Sequence, residues 1–165
     1  MNGPFLHLAI NHIPVIGVPF AFVLLAAGLM RKSRDLTQAG FVVLILIGLG
    51  AYPVVKTGGM AARVVHDLPG VTHEMIHEHA EAADFGFWGA VGLGVLSLIG
   101  FWVTAKSQAI PKALVGVALV GALWLSTVMA RVAHLGGLIR HPEITKNFVP
   151  ASDHHPDHDN DQDHD

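Results

Sequence analysis

The stretch FGFWGAVGLGVLSLIGFWVTA, residues 85–105, contains no Asp, Glu, Lys or Arg and decides the fold class of this chain. About 20 mostly apolar residues are enough for one helix to span the hydrocarbon core of a bilayer. Three further windows lack these charged residues: 1–30, 36–55 and 113–130. None of the four windows offers the polar face that a helix of a soluble bundle needs. We therefore expect four transmembrane helices embedded in a lipid bilayer.

The overall composition agrees with a membrane protein and excludes several kinds of site. The 165 residues are 52% hydrophobic and 14% charged, whereas soluble domains carry about 25% charged residues. The absence of cysteine excludes disulfides, iron–sulfur clusters, thiolate zinc sites and covalent c-type haem attachment. A net charge of −3 gives no indication of nucleic-acid binding. The first apolar stretch lacks the positive n-region and cleavage site of a signal peptide, so we expect a retained helix.

The predicted fold is all-α: an antiparallel four-helix transmembrane bundle with an outer helical segment before helix three. The predicted helices run over about Ile10–Met30, Leu36–Val55, Asp84–Thr104, and from Pro111 past Arg131. Short links after helices one and three force antiparallel neighbours. Pro14 and Pro19 predict a kink or an irregular first turn in helix one.

The long link and the tail complete the predicted organisation. The link from Lys56 to Ala83 contains Gly58-Gly59 and a Pro69-Gly70 turn, and then the outer helix that continues into helix three. The transmembrane domain is expected over residues 1–149. The tail, residues 150–165, is rich in His and Asp, and we expect it to be disordered. Such a tail either binds divalent metals loosely or is simply a solubilising acidic segment.

The charge distribution predicts the orientation. Lys and Arg divide equally between the two sides, but the short links 31–35 and 106–112 concentrate them, and the opposite side carries nearly all the acids. Positively charged links remain inside. We therefore expect a multi-pass protein of the bacterial inner (cytoplasmic) membrane with both termini outside, in the periplasm.

All histidines fall at positions that this topology places on the outer side. They are His7, His12, His66, His73, His77, His79, His134, His141, His154, His155, His158 and His164. Histidine is the commonest metal ligand and titrates near neutral pH. Histidines at a membrane surface can also be merely solvated, but polar groups next to an apolar span are expensive and tend to line sites.

The histidines give two candidate sites. A b-type haem needs one or two axial histidines in a helix bundle, and basic residues suit its propionates. The candidates for that site are His12, His79 and His134 as ligands, His7 and His141 as alternates, and Arg131 as a propionate partner. A Zn, Cu or Ni ion would instead need three or four ligands, for which the candidates are His73, His77, Glu78 and Glu81. We assign no catalytic residue.

The segment His73-Glu-Met-Ile-His77 fits the H-E-x-x-H pattern of zinc proteases, in which Glu74 would be the general base. A protease also needs a third ligand and a groove for an extended substrate, and no strand-like segment lies outside the predicted helices. A di-iron site would need a second E-x-x-H segment, which is missing. Both interpretations are therefore disfavoured, and a redox protein is favoured over a hydrolase.

Several segments together resemble a family of small bacterial four-helix membrane proteins of unknown function. They are HLAINHIP (His7–Pro14), TGG (Thr57–Gly59), LPG (Leu68–Gly70), HEHAEAA (His77–Ala83), Ala130-Arg131 and LGGLIRHPEI (Leu135–Ile144). The resemblance covers the chain except the tail. It implies the four-helix fold and a shared outer-face site built from His7, His12, His79 and His141. His73 lies outside these segments, which further weakens the protease interpretation.

Three functions remain open at this stage. The first is binding of b-type haem near the outer surface, with one-electron transfer to a periplasmic or quinone partner. The second is transition-metal binding for uptake, sensing or delivery. The third is a cofactor-free structural subunit of a membrane complex, and a homo-oligomer is also compatible with the sequence.

Overall fold

A computed structural model describes residues 3–107 and 109–144, and the secondary structure in these residues is helical. The α-helices are α1 (Gly3–Ile10), α2 (His12–Arg31), α3 (Arg34–Val65), α4 (His73–Lys106) and α5 (Lys112–Arg140), followed by a 3₁₀ turn at Pro142–Ile144. Helices α1 and α2 form one apolar segment that is interrupted at Asn11. Pro14 lacks the N–H that would bond the carbonyl of Ile10, so the interruption falls where the prolines predict it.

The helices form a four-sided antiparallel bundle. Helix α2 packs against α3 and α5, and α4 packs against the same two helices, so α2 and α4 lie diagonally across the bundle. One close crossing joins α3 to α4, where a Cβ added at Gly48 would lie 3.2 Å from the Cα of Gly94. Small residues at such crossings let helix backbones approach closely in lipid. The predicted four-helix fold is confirmed.

Apolar residues both fill the bundle and cover its outside. The core lines up at three- and four-residue spacing, as in Val18, Ala21 and Leu25 of α2 and Phe41 and Leu44 of α3. Outward-facing residues are equally apolar, and the four long segments are long and apolar enough to cross a membrane. An apolar surface of this extent is stable in lipid and not in water. The chain is therefore a multi-pass membrane protein.

At the end that carries the histidines, α3 is longer than predicted, whereas α4 and α5 agree with the predicted outer helix and with a helix that continues past Arg131. Helix α3 continues through Gly58-Gly59 to Val65, α4 begins at His73, and α5 continues through Gly136-Gly137 to Arg140. The 34 residues of α4 extend about 51 Å, well beyond a hydrocarbon core of about 30 Å. The outer helical segment is thus the first part of α4.

The real connection between α3 and α4 is short. It comprises residues 66–72 and contains the predicted Pro69-Gly70 turn, in which Gly70 has a φ of 80°. Thr72 caps α4 by accepting a hydrogen bond from the Met75 backbone N–H at 3.2 Å. All eight histidines of the described residues lie at this one end of the bundle, which we call the histidine end. The His- and Asp-rich tail, 150–165, lies outside the described residues.

Candidate histidine site

Burial separates two histidines from the other six of the described residues. His7 and His79 are half-buried, whereas the remaining ones are exposed: His12, His66, His73, His77, His134 and His141. A half-buried imidazole needs partners for its ring nitrogens. The contacts of His7 and His79 therefore define the candidate site.

His7 projects from α1 onto the backbone of α3. Its Nδ1 lies 3.2 Å from the carbonyl oxygen of Val54 and 3.3 Å from the hydroxyl of Thr57. The ring also lies against Gly58, where an added Cβ would come within 3.1 Å of the His7 Cε1. We call Val54, Thr57 and Gly58 the first cradle.

His79 makes the equivalent contacts in the other half of the bundle. It projects from α4 onto α5, and its Nδ1 lies 3.1 Å from the carbonyl oxygen of Val132. A Cβ added at Gly136 would again come within 3.1 Å of the ring Cε1. We call Val132 and Gly136 the second cradle. In both cradles the accepting carbonyl comes four residues before the glycine that the ring covers.

These contacts determine which ring nitrogen carries the proton. A backbone carbonyl can only accept, so Nδ1 of each histidine must donate and carries the hydrogen in the neutral ring. Nε2 then presents its lone pair, and it has no hydrogen-bond partner among the described residues. An Nδ1–H bonded to a backbone carbonyl is the usual way in which proteins fix the orientation of a metal-binding histidine.

The two cradles lie at the same end of the bundle and in different halves of it. His7 belongs to the α1–α2 segment and His79 to α4, which lies diagonally across the bundle. The side-chain oxygen of Asn11, one turn after His7, is buried and lacks a hydrogen-bond partner in the described chain. A bound polar group would satisfy that oxygen, or the amide nitrogen if the side chain turned over.

The other predicted haem residues lie outside the two cradles. His12, the first residue of α2, bonds the carbonyl oxygen of Leu8 in α1 at 3.0 Å and is exposed. His134 and Arg131 are exposed on α5. His141 follows the last residue of α5 and lies 3.0 Å from the Glu143 carboxylate. Of the predicted haem residues, the structure therefore holds one preferred ligand, His79, and one alternate, His7, half-buried against the backbone at the histidine end.

The residues predicted for a metal ion lie on the exposed first turns of α4. The rings of His73 and His77 stack with centroids 6.4 Å apart, and His77 lies 3.7 Å from Glu81. Glu78 is exposed. Among residues 3–107 and 109–144, no three His, Asp or Glu side chains converge as a metal-ion site.

Residue-by-residue inspection of the sequence missed the cradles themselves. Gly58 belongs to the Gly58-Gly59 pair, which the sequence predicts in the long link, and Gly136 belongs to the Gly136-Gly137 pair, whose composition is typical of a helix end. The signal that could have found them is their shared position: each pair lies at the histidine end of a helix that follows a histidine-bearing one. Comparison with known proteins adds no further guide, because no family model, curated protein or solved structure matches the chain. The family resemblance stays a prediction.

Proposed function

We propose that the protein binds b-type haem between His7 and His79 and works as an electron-transfer protein of the membrane. The observation that carries this proposal is the pair of cradles, which hold two neutral imidazoles, one from α1 and one from α4, with both Nε2 atoms available. His7 and His79 would hold the haem, which would supply reversible one-electron chemistry.

The residues present fit such a group in their chemistry. Neutral imidazole nitrogen is the axial donor of b-type haem, and the orienting hydrogen bonds are already made in this structure. Gly58 and Gly136 remove side chains from the surfaces on which the ligand rings lie. The apolar core below the site, including Leu125 and Met129, excludes water from one side.

The charged residues of the histidine end suit an anionic group at the surface. Arg131 directly precedes Val132 of the second cradle, and its side chain is exposed. A guanidinium there can pair with a propionate, which is the role predicted for Arg131. Arg140 and Lys56 are exposed at the same end.

Absorption spectroscopy of the purified full-length protein tests the proposal. We expect a reduced-minus-oxidised spectrum with Soret and alpha bands of low-spin haem, and about one haem per chain. His7→Ala and His79→Ala should each remove or convert this spectrum, because each deletes one axial ligand. The matched controls His12→Ala and His134→Ala remove exposed histidines at the same end and should retain it. A wild-type protein that takes up no haem, even when haem is added, would overturn the proposal.

In the same proposal the histidine end faces the periplasm in a bacterial inner membrane, and the partner is a periplasmic protein or a quinone. The dense positive charge of the short links supports this orientation. The chain lacks cysteine, so single cysteines introduced as Leu68→Cys and Ala109→Cys can be labelled cleanly. A membrane-impermeant maleimide added to intact cells should label only the first, and labelling of only the second would reverse the assignment.

A further inference from the structure

The first cradle has a side chain that the second lacks. Thr57 directly precedes Gly58, and the residue at the matching position before Gly136 is Leu135. The Thr57 side chain is almost fully enclosed, with the residue only 4% exposed, and its hydroxyl lies 3.3 Å from the Nδ1 of His7. Among the described residues, no other helix crossing places a buried hydroxyl beside a candidate ligand.

The other hydrogen bonds of Thr57 determine whether its hydroxyl donates to His7 or accepts from it. Its hydroxyl oxygen lies 2.8 Å from the carbonyl oxygen of Pro53 and 2.9 Å from that of Val54, and both can only accept. The hydroxyl hydrogen is therefore committed to the helix backbone. The lone pairs of the oxygen remain to accept from the Nδ1–H of His7, which is shared between Val54 and Thr57.

We infer that Thr57 is a positioning residue that holds His7 in the Nδ1–H form and increases the donor strength of its Nε2 toward a bound haem iron. A second acceptor on Nδ1–H disfavours transfer of the proton to Nε2. It also shifts electron density toward Nε2, which strengthens the ligand and stabilises the more positive, oxidised iron. The redox consequence rests on the proposed function, whereas the tautomer of His7 does not.

The tautomer is measured by nitrogen-15 NMR of the full-length protein prepared without haem, with the His7 signals assigned from His7→Gln. Thr57→Val keeps the shape of the side chain and removes the acceptor. We expect it to increase the Nε2–H population of His7 and to leave His79 unchanged. Thr57→Ser keeps the hydroxyl and should restore the wild-type signals.

The reduction potential of the haem-loaded protein gives the second readout. Thr57→Val should move it to a more positive value, where 59 mV corresponds to a tenfold change in the preference for oxidised iron. The matched control is Thr104→Val, because Thr104 is buried and bonds the carbonyl of Gly100 at the opposite end of the bundle. That control should change neither readout.

The outcomes separate the inference from the proposed function. If the protein binds haem and Thr57→Val alters neither the His7 tautomer nor the potential, the inference is wrong and the function stands. If the protein binds no haem, the function is wrong and the tautomer still decides the role of Thr57. An equal effect of Thr57→Val and Thr104→Val would reduce Thr57 to a packing residue and overturn the inference.

Discussion

The two cradles share the same arrangement of carbonyl, glycine and imidazole, but they differ in the helix that carries the histidine and in the presence of a hydroxyl. Both combine a backbone carbonyl with a glycine four residues later, and both hold one imidazole through Nδ1. They differ because His7 lies on the eight-residue α1 and has a hydroxyl partner, whereas His79 lies within the 34-residue α4 and has none. The shared part is what a ligand needs. The hydroxyl of Thr57 gives the Nδ1 of His7 a second acceptor that His79 lacks among the described residues.

The largest effect is expected from substitution of the glycine in each cradle. Gly58→Ala and Gly136→Ala each place a methyl group within 3.1 Å of the ligand ring, which must then move off the backbone. We expect haem affinity to fall about tenfold or more, as for other losses of ligand support. Titration of haem into the purified variants measures this.

The neighbouring glycines provide matched controls for that experiment. A Cβ at Gly59 or Gly137 would meet nothing within 4 Å. Gly59→Ala and Gly137→Ala should therefore retain haem, and each should stabilise its helix by roughly 0.5–1 kcal/mol in thermal unfolding. Equal haem loss in all four variants would show that helix flexibility, and not the ring contact, is what the glycines provide.

A smaller effect is expected from a substitution that makes the second cradle resemble the first. Leu135→Thr places a hydroxyl at the position that corresponds to Thr57, where it can accept from the Nδ1–H of His79. Redox titration should show a potential shifted to a more negative value, by less than the 59 mV of a tenfold change. A shift to a more positive value would contradict the equivalence of the two cradles.

The smallest effect is expected at Glu143, an exposed carboxylate that lies beside His141 and outside both cradles. The pKa of Glu143 lies below its ordinary value because its carboxylate accepts a hydrogen bond from its own backbone N–H and lies 3.0 Å from the Nδ1 of His141. A lowered carboxyl pKa stabilises the fold above the pKa of the unfolded chain, and this stabilisation is lost as pH falls through the folded value.

Glu143→Gln should accordingly leave haem content and potential unchanged. Its thermal midpoint should fall slightly below that of the wild type at pH 7, and the two should converge below about pH 4. Loss of haem in this variant would place His141 in the site after all.

The four charge-free windows were sufficient to predict the fold, because lipid requires long apolar helices. The same windows were not sufficient to predict where the helices end. Gly58-Gly59 and Gly136-Gly137 have low helix propensity, yet α3 and α5 continue through them. Packing against α1 and α4 holds these glycines in the helix, and such tertiary support cannot be read from local sequence.

The sequence predicted the candidate site only as a group of histidines, without showing which of them are buried. His7, His12, His79 and His134 all lie near helix ends, and the sequence shows on which helix each lies but not which way each ring faces. His12 is five residues after His7 and beyond the interruption at Asn11, so it turns to the exposed side. The decisive partners are backbone carbonyls, which every residue has and no sequence pattern marks.

Each cradle is complete within one helical hairpin, and this affects how the molecule can be made. His7 and its partners lie in residues 3–65, and His79 and its partners lie in residues 73–140. During synthesis the first half-site can therefore form in the membrane before the second hairpin has left the ribosome. A chain cut within residues 66–72 would keep all the residues of each cradle in a single fragment.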